Sequence, residues 1–333
     1  FVNIEPGEGW ALFWSFSYFF TLLCSYYIIR PLRDEMGVAG GVENLQWLFT
    51  GTFLVMLAIV PVFGWITSRY RRSQFLPAIY LFFIFNLVGF YLLFQSDIAH
   101  VYVARAFFIW VSVFNLFVVS VFWSFMTDLY NDTQAKRLFG FIAAGGTAGG
   151  ISGPALTTAL AIPLGPTNLL LISGLFLFWA VLSIQRLNRW NATSVQQIAS
   201  KQNIETDNTS NKPLGGGVLT GIKLVFSSPY LSGIAILMIL YTTLQTFLYF
   251  QQAEIIRDSF SSSAERTSVF AAIDLAVNGL TIIIQLFLTS RLVKSLGLAW
   301  TLALVPLILC AGFLTLSFAP VLAVLILVQV IRR

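Results

Sequence analysis

Long apolar runs, broken by short polar or charged connections, dominate this chain. Read with a window of about 20 residues, the length of a bilayer-crossing helix, they predict helices near 10–29, 45–66, 75–95, 101–126, 138–162, 168–185, 229–250, 267–289 and 298–318. A tenth run begins at Pro320 and is cut off at Arg333. The runs are continuous, whereas the strands of an outer-membrane barrel alternate over stretches of about ten residues. The predicted class is therefore an all-α polytopic membrane protein. Because the chain opens on Phe1 and ends inside an apolar run, it is expected to be truncated after nine to ten helices of a longer protein.

The pattern changes once. Residues 186–228 are polar and rich in Asn, Ser, Thr and Gln, the composition of a flexible linker. Within them "VLTGIKLVFSSP" is expected to form a short interfacial helix. The domain reading is an N-terminal six-helix bundle over 1–190, a cytoplasmic linker over 191–228, and an incomplete C-terminal bundle over 229–333. The halves echo each other faintly: Thr67-Ser68-Arg69 ends the second run and Thr289-Ser290-Arg291 the eighth, while Arg33-Asp34 ends the first and Arg257-Asp258 the seventh. Six helices on each side of a long cytoplasmic loop is a transporter plan, with the substrate site between the halves near the midplane.

Composition agrees: 57% of the 333 residues are hydrophobic and 10% are charged, against about 25% charged in soluble domains. The net charge of +5 comes from topology rather than from a nucleic-acid patch, because twelve of the 19 basic residues fall in even-numbered connections. Basic residues stay on the cytoplasmic side, so the N-terminus is expected inside and the protein in the cell inner membrane. Cys24 and Cys310 lie in apolar runs and His100 stands alone. That supplies no zinc or haem ligand set, and no cofactor is expected.

Against that background the ionisable residues inside apolar runs are the candidates, since each costs about 2.5–3.5 kcal/mol at a helix centre on insertion scales. Arg30 and Arg33 lie at the outer end of the first run, against the positive-inside bias, and share a helical face with Tyr26. Pro31 predicts a kink, and Asp34, four residues after Arg30, is placed to neutralise it. The plain alternative is a snorkelling anchor. Arg105 and Asn115 mark the fourth run, with an interfacial arginine as the alternative for Arg105. Asp274, Asn278, Thr281 and Gln285 form a stripe on the eighth run, and Thr242, Gln245, Tyr249 and Gln252 a similar one on the seventh. They read as walls of a shared cavity, with Asp274 binding a cation, a proton or an arginine; helix–helix hydrogen bonding is the alternative. Gly145, Gly149 and Gly153 recur every four residues, a close-packing pattern rather than a phosphate loop. A cytoplasmic gate is expected in which Arg69 or Arg72 pairs with Asp128, unless those arginines only set topology.

These segments resemble a known family. "GWITSRYRRS" resembles the loop after the second helix of major facilitator transporters, with Ser68 where an aspartate is usual. "YYIIRPLRDEMG" resembles the "LR-x-x-K-D" stretch of the ATP/ADP antiporters of plastids and intracellular bacteria. "VFWSFMTDLYNDTQAKRLFGFIAAGGTAGGISG" is similar to their "FW-x-F-x-N … EAKRFY … G" region. The resemblance covers the first half well and the second loosely, in the style of free-living bacterial members. It implies a major-facilitator-like 6+6 bundle and a phosphate-binding role for Arg33, with Arg30 beside it. The family's acid in the fourth helix has no counterpart in residues 108–124.

The expected function is secondary active transport of an anionic, nucleotide-like metabolite by alternating access. Arg30, Arg33 and Arg105 would meet the anion, Tyr26, Asn115, Gln245, Tyr249, Gln252 and Asn278 would line its site, and Asp274 and Asp34 would serve coupling. Expected partners are that small molecule and membrane lipid, with no nucleic acid, and a monomer is expected. Alternatives are a proton-coupled exporter of a siderophore or drug-like compound, and a membrane receptor that moves nothing. An enzyme would need a catalytic cluster, which the sequence does not offer.

Overall fold

The computed structural model describes residues 7–69, 72–96, 100–201 and 225–284, with residue 5 and isolated positions beyond 284. Every regular element among them is helical: α1 Gly9–Ala39, α2 Leu45–Arg69, α3 Arg72–Gln95, α4 His100–Leu129, α5 Asp132–Leu164, α6 Leu169–Lys201, α7 Pro229–Ser259 and α8 Ser263–Ile283. Lipid offers the backbone no hydrogen-bond partner, so an apolar chain that must cross it satisfies its own amides as helix. Seven of these described helices are long and apolar enough to cross a membrane.

The remaining long helix, α5, is milder in composition. Its glycines, alanines and threonines lower its hydropathy, but it lies parallel to α1 along most of that helix's length. Gly145 faces the carbonyl of Phe16, Gly149 that of Phe20 and Gly153 that of Cys24. The Thr157 hydroxyl donates to the carbonyl of Ile28 at 3.3 Å. The two registers advance together in steps of four, so every contact falls on one face of each helix. A Cβ on Gly145 would stand 2.6 Å from the Phe16 oxygen, and only glycine permits that approach.

On its other side α5 carries α8, which runs antiparallel to it. Asn278 donates to the Gly150 carbonyl at 2.7 Å and Ser268 to the Thr158 carbonyl at 3.2 Å. Asn278 therefore serves helix contact, the alternative weighed for its stripe.

The first half is held by an aromatic core in which α1 is central. Phe19 stacks on Phe122 at 4.1 Å between ring centres, and the Tyr18 and Tyr80 hydroxyls lie 2.6 Å apart. Polar core side chains find each other: Ser15 with Tyr130 at 2.9 Å, Ser25 with Ser173 at 2.8 Å. The Gly9 end of α1 is tied down by Glu8, which accepts from Gln134 at 2.9 Å and Arg137 at 3.0 Å.

Two boundaries differ from expectation. The first helix runs to Ala39, so Arg30 to Glu35 lie within it, and the helix continues through Pro31. α6 also continues to Lys201, so the start of the expected linker, 191–201, is helical. No Gly or Pro interrupts 186–201; polarity there ends the apolar surface, not the helix. Residues 225–227 of the expected interfacial helix are helical, and the rest of the linker, 202–224, lies outside the described residues, as does most of the chain beyond 284.

Candidate functional site

The halves meet through α1, α2 and α5 on one side and α7 and α8 on the other. Their described contacts gather toward the Ala39 end of α1. There Val38, Leu45, Leu48 and Phe108 of the first half form one apolar cluster with Ala253, Ile256, Phe270 and Ile273 of the second. Phe49 packs edge-on against Tyr249 and Phe250 at 5.4 and 5.5 Å.

Beneath this seal lies a cavity of about 220 Å³. α1 contributes Arg30, Arg33 and Asp34, α8 contributes Asp274, and α7 lines it with Thr242, Gln245, Thr246, Tyr249 and Gln252. The i, i+4, i+7 spacing on α7 puts those polar side chains on one stripe. A second cavity of about 360 Å³ lies between α1 and α4, bounded by Tyr26, Tyr27, Arg30, Arg33 and Asn115. Arg30 and Arg33 border both.

Each arginine has a carboxylate, held very differently. Arg33 donates to Oδ1 of Asp34 from Nε at 3.0 Å and Nη2 at 2.6 Å, and the Tyr249 hydroxyl donates to the same oxygen at 3.0 Å. The Arg33 guanidinium also sits 5.0 Å from the Phe108 ring centre, a cation–π distance. Arg30 reaches across to α8, with Nη1 3.4 Å from Oδ1 of Asp274, beyond the 2.7–2.9 Å of a strong charge-assisted bond. Asp34 thus grips its neighbour Arg33 instead of Arg30, and Asp274 stands opposite an arginine, one of the three partners expected for it. The i, i+4 rule selected Arg30 for Asp34, but Arg30 is drawn away by a charge on another helix.

A third pair escaped the sequence reading. Glu35, fully buried, accepts two bonds of 2.7 Å from Nε and Nη2 of Arg266 on α8. Nη1 of Arg266 donates onward to the carbonyls of Phe260 and Ser261, each at 3.0 Å. One guanidinium fork therefore fastens the α7–α8 turn to α1 beside the cavity.

One polar, charge-bearing cavity lies between the packed halves and shares its two arginines with a second on α1 and α4, a geometry suited to a translocation site. A family model described as Major Facilitator Superfamily matches residues 9–331. The chain belongs to the major facilitator superfamily. A comparison with curated proteins returned no match. As a major facilitator protein it is a multi-pass membrane transporter.

Two further candidates of this transporter, Arg105 and Asp128, are not among the lining residues of either cavity. Arg105 donates from Nε and Nη2 to the Gly40 carbonyl at 3.3 and 3.1 Å, capping the end of α1. Asp128 is exposed at the end of α4. The side chains of Arg69 and Arg72, and residue Gln285, lie outside the described residues, and with them the expected gate. Among the described residues no group of three or more His, Cys, Asp or Glu could hold a metal.

Proposed function

We propose that this transporter carries an anionic metabolite by alternating access, as a secondary active carrier of the inner membrane with its N-terminus in the cytoplasm. One observation carries the reading: two guanidinium groups border both the cavity where the halves meet and the cavity between α1 and α4. A buried arginine fork matches carboxylate and phosphate geometry, and a cell rarely keeps two such charges inside a membrane without use for them. The seal of Phe49, Tyr249 and Phe270 lies toward the Ala39 end, the outer end if the N-terminus is inside. The geometry then corresponds to a carrier closed to the outside. The resemblance around Arg33 puts nucleotides among the anions to test first.

The test is exchange in proteoliposomes, with labelled ATP, ADP and other phosphorylated metabolites set against a range of internal counter-substrates. Arg33→Ala is expected to lower uptake at least tenfold at unchanged protein content. Uptake near the wild-type rate in that variant, or no exchange of any anion by the wild type, would refute the reading.

A further inference from the structure

The two cavities differ in charge. The α4-side cavity has Arg30 and Arg33 on its wall and no carboxylate among its lining residues, the two acids paired with them lining the α7 side. The α7-side cavity has the same two arginines together with Asp34 and Asp274 and is formally neutral, with hydroxyls and amides from α7 around it. The guanidinium groups form the partition between a positive compartment and a neutral polar one.

The two acids are not equally replaceable. Asp34 Oδ1 receives three bonds of 2.6 to 3.0 Å and belongs to the same helix as its arginine. Asp274 belongs to the other half and stands 3.4 Å from Arg30. An anion arriving on the α4 side can pair with Arg30 at a shorter distance, and a short charge-assisted bond outweighs a long contact.

We propose that the two cavities are compartments of a single substrate site, and that the anionic group of the substrate occupies the α4-side compartment and displaces Asp274 from Arg30. The inference rests on the anion-transport reading and specifies the substrate class. The ligand has an anionic head bound by Arg30, Arg33 and Asn115, and an uncharged hydrogen-bonding body that extends past the arginines toward Gln245 and Gln252. Displacement also has a consequence for the carrier. Arg30 and Asp274 join α1 to α8, so an anion that takes over Arg30 removes a charge contact between the halves. Binding itself then loosens the seam that must open, which supplies the differential interaction any ligand-driven transition requires.

The experiment is equilibrium binding of two probes, radiolabelled inorganic phosphate and radiolabelled ADP, to the full chain in nanodiscs. Asp274→Asn removes the competing carboxylate and is expected to bind phosphate roughly three- to tenfold tighter than wild type. Asp274→Ser serves as a second neutral replacement should asparagine fit poorly. Asn115→Leu is expected to weaken both probes, and Gln245→Leu to weaken ADP more than phosphate. Unimproved or weaker phosphate binding in both Asp274 variants, with saturable wild-type binding, overturns the displacement alone. Wild-type protein that binds neither probe overturns this proposal, and the anion-transport reading falls with it only where proteoliposomes exchange no anion either. Equal losses of phosphate and ADP in Gln245→Leu would overturn the two-compartment assignment.

Discussion

Gly149→Ala is expected to be the most damaging single-methyl change in the first half. Gly149 faces the Phe20 carbonyl and the Cys24 amide of α1, so the added Cβ meets backbone that cannot rotate away. On the same face, the Cβ of an alanine at 145 would fall 2.6 Å from an oxygen, where ordinary contact begins near 3.4 Å. Relief at either position requires the helices to separate by close to an ångström, which also loosens Thr157 from Ile28. Overpacking of this kind costs about 1–3 kcal/mol. Gly140 is the control: it lies on the same helix and has nothing within 4 Å of its Cβ position. Alanine there gains helix propensity of up to about 1 kcal/mol. The assay is thermal unfolding of the two variants in one detergent. Gly149→Ala is expected to melt several degrees below wild type, and Gly140→Ala at or above it. Equal melting temperatures would refute the close-contact account of α5.

Two other expectations follow from named contacts. Glu35→Gln leaves Arg266 with a weakened partner beside a buried position, and removal of one member of a buried pair costs about 3–5 kcal/mol; a cysteine at Gln245 should become more reactive to an impermeant thiol reagent added on the Ala39 side, and the double reversal Glu35→Arg with Arg266→Glu should restore part of the protection. Asn131 caps α5 through a reciprocal capping box with Gln134, so Asn131→Ala should destabilise by about 1 kcal/mol in the same melting assay.

The helices were legible because hydropathy and length answer the same question, whether a segment can satisfy its backbone in lipid. α5 was read from its apolar run at 138–162, and its close packing from its glycine period. Arg30, Arg33 and Asp274 stood out because charge in an apolar run is costly, and a single sequence registers that cost. Partnership was not legible. Arg30 and Asp274 are separated by most of the chain, and Glu35 and Arg266 by 231 positions. No periodicity links such residues. Glu35 also lay in a stretch that looked like the end of a helix, where a carboxylate draws no notice. Its cue was position: it follows Asp34 directly, so it leaves the helix in a different direction from the cavity-facing acid. Arg105 misled because an arginine near a helix start reads alike whether it awaits a ligand or caps a neighbouring carbonyl.

The seam between α5 and α8 has a mechanical consequence. Asn278 holds α8 to a main-chain carbonyl at Gly150, and Ser268 holds it to another at Thr158, about two turns along α5. Equivalent carbonyls recur one turn above and below. Under the alternating access proposed above, α8 would trade one carbonyl for the next as a wheel trades points on a rail, with α5 as the bearing and the ion pairs as the brakes.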